Sequence, residues 1–267
     1  MSESQEPTIH KLFDLSGKTA LVSGGGGYLG AALASALAEA GARVALTSRT
    51  QERAEEAAAA LPKVASGSHL GVELDHLRPE SVDHCIEMVA QQLGSIDILV
   101  NNGNNHTALD WVETTPEEFT KQLSNATGYF QLARHVRRFA VEREAAASIV
   151  LIGSMYGVVG SYPDAYDGVC HASPIAYHTL KGGLVQMTRH LAVYWAKDRV
   201  RVNCLSPGPF PASTAPREMV KRLEAKSPMG RMGLPHELKG ALLLLASDAG
   251  SYITGQNLLV DGGWTSW

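Results

Sequence analysis

The sequence predicts an α/β fold, a doubly wound parallel sheet of Rossmann type, and three observations carry that prediction. Short β-branched or aliphatic runs alternate with alanine-rich amphipathic stretches along almost the whole chain. A glycine-rich turn stands between the first such run and the first helical pattern. No composition break, internal repeat or low-complexity linker divides the 267 residues. One domain over 16–267, preceded by an N-terminal extension over 1–15, therefore accounts for the chain. Strict alternation requires a parallel sheet, because each parallel crossover needs a connection of helix length, and it puts helices on both faces.

Strands are expected over 19–22, 44–47, 96–101, 148–152, 200–205 and 257–260, each a short run of buried-type residues. Amphipathic helices are expected over 28–40, 51–61, 79–93, 116–143, 174–197 and 235–247. The last four open on Pro79, Pro116, Pro174 and Pro235, at the position where a missing N–H costs a helix nothing. Two stretches break the alternation: 153–173, with Gly, Pro and Asp, and 206–228, rich in Pro, Ser and Thr. Both follow strands, at the carboxyl edge where open α/β sheets bind ligands, so functional loops are expected there.

Composition excludes several classes. Apolar residues make up 45% and charged residues 19%, enough for a large core and too little charge for a disordered chain. A net charge of -4, a pI near 6.2 and the lack of a basic run give no electrostatic reason to expect nucleic acid or an anionic membrane as partner. Cys85, Cys170 and Cys204 are odd in number and far apart, which suggests neither disulfides nor a zinc site. No metal is expected. The polar N-terminus lacks a basic segment followed by an apolar core, and no apolar run of spanning length follows, so a cytoplasmic protein is expected.

The turn Ser23-Gly24-Gly25-Gly26-Gly27-Tyr28-Leu29-Gly30 carries the first chemistry. Gly25, Gly27 and Gly30 satisfy G-x-G-x-x-G between strand and helix, where a dinucleotide pyrophosphate meets free backbone amides and the positive end of the helix. At the end of the second strand an NAD site presents a carboxylate to the ribose hydroxyls; this chain has Thr47-Ser48-Arg49. Ser48 and Arg49 suit a 2′-phosphate, so NADP(H) is favoured over NAD(H). The plainer reading of Arg49 is a solvated charge at a helix entry.

Tyr177 and Lys181 stand at i and i+4, one turn apart on one helical face, and of the eight tyrosines only Tyr177 has such a partner. A nearby ammonium favours phenolate and lowers a pKa of about 10 toward the range useful for proton transfer. With Ser154 closing a buried strand, and with Asp97-Ile-Leu-Val-Asn-Asn-Gly103 closing another, the chain resembles the compact single-domain branch of the short-chain dehydrogenase/reductase family. The likeness runs from Ser16 to Trp267. It takes in the glycine turn, Asp75 after the third strand of the family pattern, Asn101-Asn102-Gly103, Asn125, Ser154, Tyr177, Lys181, Pro207-Gly208 and Asp261-Gly262-Gly263.

That resemblance implies hydride transfer between a nicotinamide and a ketone or secondary alcohol. Tyr177 is implied as general acid in reduction and base in oxidation, Ser154 as hydrogen-bond partner of the reacting oxygen, and Lys181 as holder of the nicotinamide ribose and tuner of Tyr177. Asn125 is implied as support for a proton relay through a water beneath Lys181. Asp75 and Asn101 are implied on the adenine and ribose side, with Gly103, Pro207 and Gly208 also at the cofactor. Taken singly, Ser154 could instead cap its loop and Asn125 could be a satisfied amide inside a helix.

The chain departs from the family pattern at three places. Tyr28 replaces the penultimate glycine of TGxxxGxG, so the turn follows TGxxGxxG with Gly27 in its place; Asn104 replaces the last glycine of NNAG; and 23 positions separate Ser154 from Tyr177, an insertion of about ten residues. The insertion is expected to shape the substrate pocket. His106, Tyr156, Asp164, Tyr166, Asp167 and His171 are candidate pocket groups, and their polarity suggests a small hydroxylated substrate such as a sugar, sugar acid or polyol. A silent dinucleotide-binding sensor or scaffold is the main rival, though it would need only the cofactor half. A sugar epimerase or dehydratase fits less well, since only about sixty residues follow Pro207. By resemblance, the helices over 116–143 and 174–197 and the segment 255–267 supply the surfaces of a homotetramer.

Overall fold

The computed structural model describes residues 6–106 and 109–267. In chain order its elements are α1 (Ile9–Phe13), β1 (Thr19–Ser23), α2 (Tyr28–Glu39), β2 (Arg43–Ser48), α3 (Gln51–Ala59), β3 (Leu70–Glu73), α4 (Pro79–Leu93), β4 (Ile98–Asn101), α5 (Pro116–Glu142), β5 (Ala147–Ile152), α6 (Pro163–Tyr166), α7 (Ile175–Trp195), β6 (Val200–Pro207), α8 (Arg217–Glu224), α9 (Lys239–Ala246) and β7 (Asn257–Val260). The strands form one sheet in the order β3-β2-β1-β4-β5-β6-β7, every neighbouring pair parallel. Strand order reverses at β1, which has β2 on one side and β4 on the other. Connections on the two sides leave in opposite directions and open a crevice at the carboxyl ends.

Side-chain alternation along the strands builds two apolar layers. Ala20 and Val22 of β1 face α2 and α9 through Leu33, Leu37, Leu242 and Leu245, whereas Leu21 faces α4, α5 and α7 through Ile86, Leu132 and Leu184. With helices on both faces, β1, β4 and β5 are buried along their whole length. Leu15, placed by sequence in the N-terminal extension, is also buried in this core. Local signals set the helix ends. Thr115 Oγ1 accepts from the Glu118 amide (3.2 Å) ahead of α5, and Gly94 ends α4 at φ 80°.

The predicted elements are all present, most helices shorter than predicted and four of the six predicted strands a residue or two longer. The pattern over 235–247 divides into a 3-10 turn, Pro235–Leu238, and α9, while 174–197 yields α7 followed by the turn Ala196–Asp198. β3 was not expected from periodicity: it is a four-residue edge strand containing Gly71, too short to show a period. Gly71 has a tertiary cause, since a Cβ there would strike the backbone of Ala54 and Glu55 in α3.

The irregular stretches after β5 and β6 pack on each other. Met155, Ala165, Tyr166, Leu223, Met232 and Trp264 form a third apolar cluster that joins the insertion, α8 and the C-terminal segment above the carboxyl edge. The three cysteines are free, and among the described residues no helix is long and apolar enough to cross a membrane.

Candidate active site

The glycine turn is held from behind. Ser23 Oγ, buried, accepts from the amides of Asn102 (2.9 Å) and Gly103 (3.0 Å), and Asn102 Nδ2 donates to the carbonyls of Ser23 (3.3 Å) and Gly24 (3.0 Å). Gly24 takes φ 62°, and a Cβ on it would lie 2.7 Å from Gly103 Cα; one on Gly30 would strike the Gly24 carbonyl. The first hydrogen bond of α2 runs from the Ala31 amide to Gly27 O (2.8 Å), so the amides of Tyr28, Leu29 and Gly30 before it are left for a ligand at the positive helix end. A cradle of free amides with no Cβ in the way fits a dinucleotide pyrophosphate.

A cleft of about 970 Å³ extends from this turn, lined by Gly24, Gly27, Tyr28, Leu29, Gly30, Ser48, Arg49, Asp75 and Gly103. It meets a pocket of about 240 Å³ lined by Ser154, Tyr177, Lys181, Pro207 and Gly208, and the two share Leu29, Asn102 and Asn104. Three residues assigned to the cofactor from sequence do not line either space. Ser23 and Asn101 are buried behind the turn, where Asn101 Nδ2 donates to Tyr129 O (2.9 Å), and Gly25 packs on Leu46. From there they shape the cradle. Tyr28 adds an unforeseen link: its hydroxyl donates to Pro211 O (3.1 Å), joining the turn to the loop after β6. A further cleft of about 890 Å³, at the outer edge of β3, holds none of these groups.

The wall beside Arg49 was only half legible. The strand end carries no carboxylate, as expected, but α3 brings both Arg53 and Glu56 to the same cleft. One turn of helix separates residues that sequence distance alone did not connect with the strand end.

At the catalytic end, Ser154 follows β5 while Tyr177 and Lys181 lie on α7. Lys181 is buried; its ammonium donates to Ile152 O (2.7 Å) and sits 5.4 Å from the centroid of the Tyr177 ring. Burial lowers its pKa to about 8. Burial also pushes the Tyr177 phenol above its ordinary value, against a smaller downward pull from its hydrogen bond with Ser154. The expected lowering of Tyr177 by Lys181 is therefore not the net result in the ligand-free chain. Both groups are desolvated, and for Tyr177 the cost of burying a phenolate outweighs the pull of its hydrogen-bond partner. Ser154 Oγ also accepts from the Tyr156 amide (3.1 Å), so it caps its turn and addresses Tyr177 at once.

Asn125 has no spare hydrogen-bonding capacity in its side chain. Oδ1 accepts from the Asn105 amide (2.7 Å) and pairs with His76 Nε2 (2.6 Å), while Nδ2 donates to Asn105 O (3.1 Å) and Gln122 O (2.7 Å). The side chain therefore positions the loop after β4.

The polar residues of the insertion are largely engaged by one another and by neighbouring segments. Tyr156 Oη and Tyr166 Oη share a hydrogen bond (2.7 Å), Tyr156 stacks on His178 (4.4 Å), and Asp164 pairs with Lys226. His171 Nδ1 lies 3.6 Å from Asp110 and 3.8 Å from Glu113, a polar contact between the two loops, and Asp167 is exposed. Of the candidate pocket groups only His106 stands against a catalytic ring, edge-on to Tyr177 at 5.8 Å.

The comparisons with known proteins agree with this geometry. A family model described as enoyl-(acyl carrier protein) reductase matches residues 28–265. A ribulose-forming D-arabinitol 2-dehydrogenase of Scheffersomyces stipitis is 33% identical over 96% of this chain and 96% of its own. A short-chain type dehydrogenase/reductase from Mycobacterium marinum superposes with a TM-score of 0.85 at 34% identity, over 97% of this chain and 99% of that one. A gluconate 5-dehydrogenase from Burkholderia cenocepacia, solved with NADP and tartrate, superposes with a TM-score of 0.87 at 28% identity, over 97% of this chain and 100% of that one.

Proposed function

This chain belongs to the short-chain dehydrogenase/reductase family, and from that premise we propose that it oxidises a secondary alcohol of a small polyol, sugar or sugar acid, or reduces the matching ketone, with NADP(H). The observation that carries the reading is the junction of the long cleft with the pocket that holds Ser154, Tyr177 and Lys181. When bound, a nicotinamide dinucleotide supplies or accepts the hydride. Gly24, Gly27 and the first amides of α2 would hold its pyrophosphate, Asp75 and Gly103 its adenosine side, and Lys181, Pro207 and Gly208 its nicotinamide side. Tyr177 gives its hydroxyl proton to the carbonyl oxygen in reduction, and a phenol kept protonated by burial suits that role. Ser154 donates to the same oxygen and stabilises the alkoxide as it forms. A turnover screen with NADP⁺ or NADPH against polyols and ketoses, run beside Tyr177→Phe, tests the assignment.

Arg49, with Arg53 behind it, supports NADP(H) as the preferred form, with Glu56 opposing. NADP(H) should bind at least about ten-fold tighter than NAD(H), the worth of one charge-assisted contact, and Arg49→Ala should weaken only the phosphorylated form. Equal affinities by calorimetry would refute this preference.

The exposed apolar residues Phe130 and Val141 on α5 and Val193 and Tyr194 on α7 support a homotetramer built on these helices. Light scattering at micromolar concentration should give four times the chain mass, and a monomer would exclude the assembly. A cytoplasmic location accords with the free cysteines.

A further inference from the structure

We propose that the side-chain amide of Asn104 is a specificity-determining donor. Its Nδ2 group binds the substrate oxygen on a carbon next to the reacting one, and Gln122 of α5 is the positioning residue that aims it. The proposal rests on the polyol and sugar reading above and deepens it by naming the group that recognises a neighbouring hydroxyl.

Asn104 lines the catalytic pocket with Ser154, Tyr177 and Lys181, and it also lines the long cleft, so it stands where the two spaces join. The other side-chain donors of that pocket have assigned partners. Asn102 Nδ2 donates to the carbonyls of Ser23 and Gly24, and Lys181 donates to Ile152 O and is assigned to the nicotinamide ribose. Ser154 and Tyr177 address the reacting oxygen. Asn104 Oδ1 accepts from Gln122 Nε2 (3.1 Å), whereas Asn104 Nδ2 has no partner among the described residues. The bond to Gln122 decides which way the amide faces and leaves its two N–H donors for a ligand.

This donor is preorganised by α5. Gln122 and Asn125 are both fully buried and stand three residues apart on that helix, with Asn125 Nδ2 donating to Gln122 O. Asn125 also grips the residue after Asn104 through both of its backbone groups, accepting from the Asn105 amide (2.7 Å) and donating to Asn105 O (3.1 Å). One buried helix therefore fixes the Asn104 side chain and the backbone beside it, and little freedom is left to lose when a substrate binds. The Asn104 backbone lies outside the left-handed region, so the turn itself requires neither glycine nor asparagine there. A polyol or sugar held by its reacting oxygen carries a second oxygen on the adjacent carbon, inside the same pocket of about 240 Å³. A substrate without that oxygen leaves the Asn104 donors unmatched.

The test takes the best substrate of the turnover screen, with its reacting carbon identified from the product, and the two analogues that each lack one hydroxyl beside that carbon. At saturating NADP⁺, wild type should prefer the substrate to one of these analogues by about ten-fold or more in kcat/KM. Asn104→Ala should reduce that preference to about two-fold by slowing the parent substrate, and should leave the ranking against the other analogue unchanged. Gln122→Met should lose a smaller part of the same preference, a selectivity change that a general loosening of α5 would not produce. NADP⁺ affinity of Asn104→Ala by calorimetry should stay within about two-fold of wild type. The full preference retained by Asn104→Ala, a loss confined to NADP⁺ affinity, or a wild type that uses both analogues as well as the parent would overturn the proposal alone. Turnover of no polyol or sugar, with NADP⁺ still bound, would overturn the polyol and sugar reading and the proposal with it.

Discussion

Tyr177→Phe should lower turnover by about 10²-fold or more while cofactor affinity stays within about two-fold, because it removes the proton donor and leaves the ring in place. The ring contacts with His106 and with the Lys181 ammonium do not involve the hydroxyl and survive the change. The phosphate cradle lies on another helix and is untouched. Ser154→Ala should also reduce kcat, but with a local structural cost, since Ser154 Oγ caps the turn that begins at Met155. Comparing the two variants by thermal melting separates chemistry from folding: Tyr177→Phe should melt with wild type and Ser154→Ala below it. Full activity of Tyr177→Phe on a verified substrate would remove Tyr177 from the mechanism. A Tyr177→Phe variant that changed only a partner interaction, with no substrate found, would favour the sensor reading.

Lys181→Met should abolish most turnover and yet stabilise the ligand-free chain near neutral pH. The ammonium is buried and its pKa falls from 10.5 to about 8, so the charged form is penalised by about 3 kcal/mol on folding. Loss of the hydrogen bond to Ile152 O takes back about 1 kcal/mol, which leaves a net gain of about 2 kcal/mol in denaturant melts at pH 7. The sign follows from proton binding. Between about pH 8 and pH 10.5 the unfolded chain holds a proton that the folded chain has released, so wild-type stability contributed by this site rises with pH across that window. The advantage of Lys181→Met should accordingly shrink from pH 8 upward, vanish near about pH 9.5 and reverse by about 1 kcal/mol above about 10.5. An equal or lower stability at pH 7 would mean that Lys181 is better solvated than its burial implies. Cofactor affinity should also weaken about ten-fold, since the family resemblance puts the same ammonium on the nicotinamide ribose.

The parallel sheet, the phosphate turn and the Tyr177–Lys181 pair were legible in sequence because each is local. Strand and helix periods, a glycine turn and an i, i+4 spacing need no knowledge of what packs where. β3 was not, since four residues with a central glycine carry no period, and its glycine answers to α3. Nor could sequence alone divide the glycine-turn residues into those that face a ligand and those that stand behind it. Ser23 and Asn101 differ from Gly24 and Gly103 only in the direction each points once β1 and β4 are paired. The same holds for Asn125, whose four hydrogen bonds join α5 to the loop after β4 and to His76. Glu56 reaches the Arg49 wall, Tyr156 and Tyr166 of the insertion pair with each other while Asp164 pairs with Lys226, and His106 meets Tyr177 only because distant segments converge at the carboxyl edge. Chemistry within one turn of chain was set by sequence; the pKa of Tyr177 and the polarity of the pocket were decided by burial, which depends on every segment packed around them.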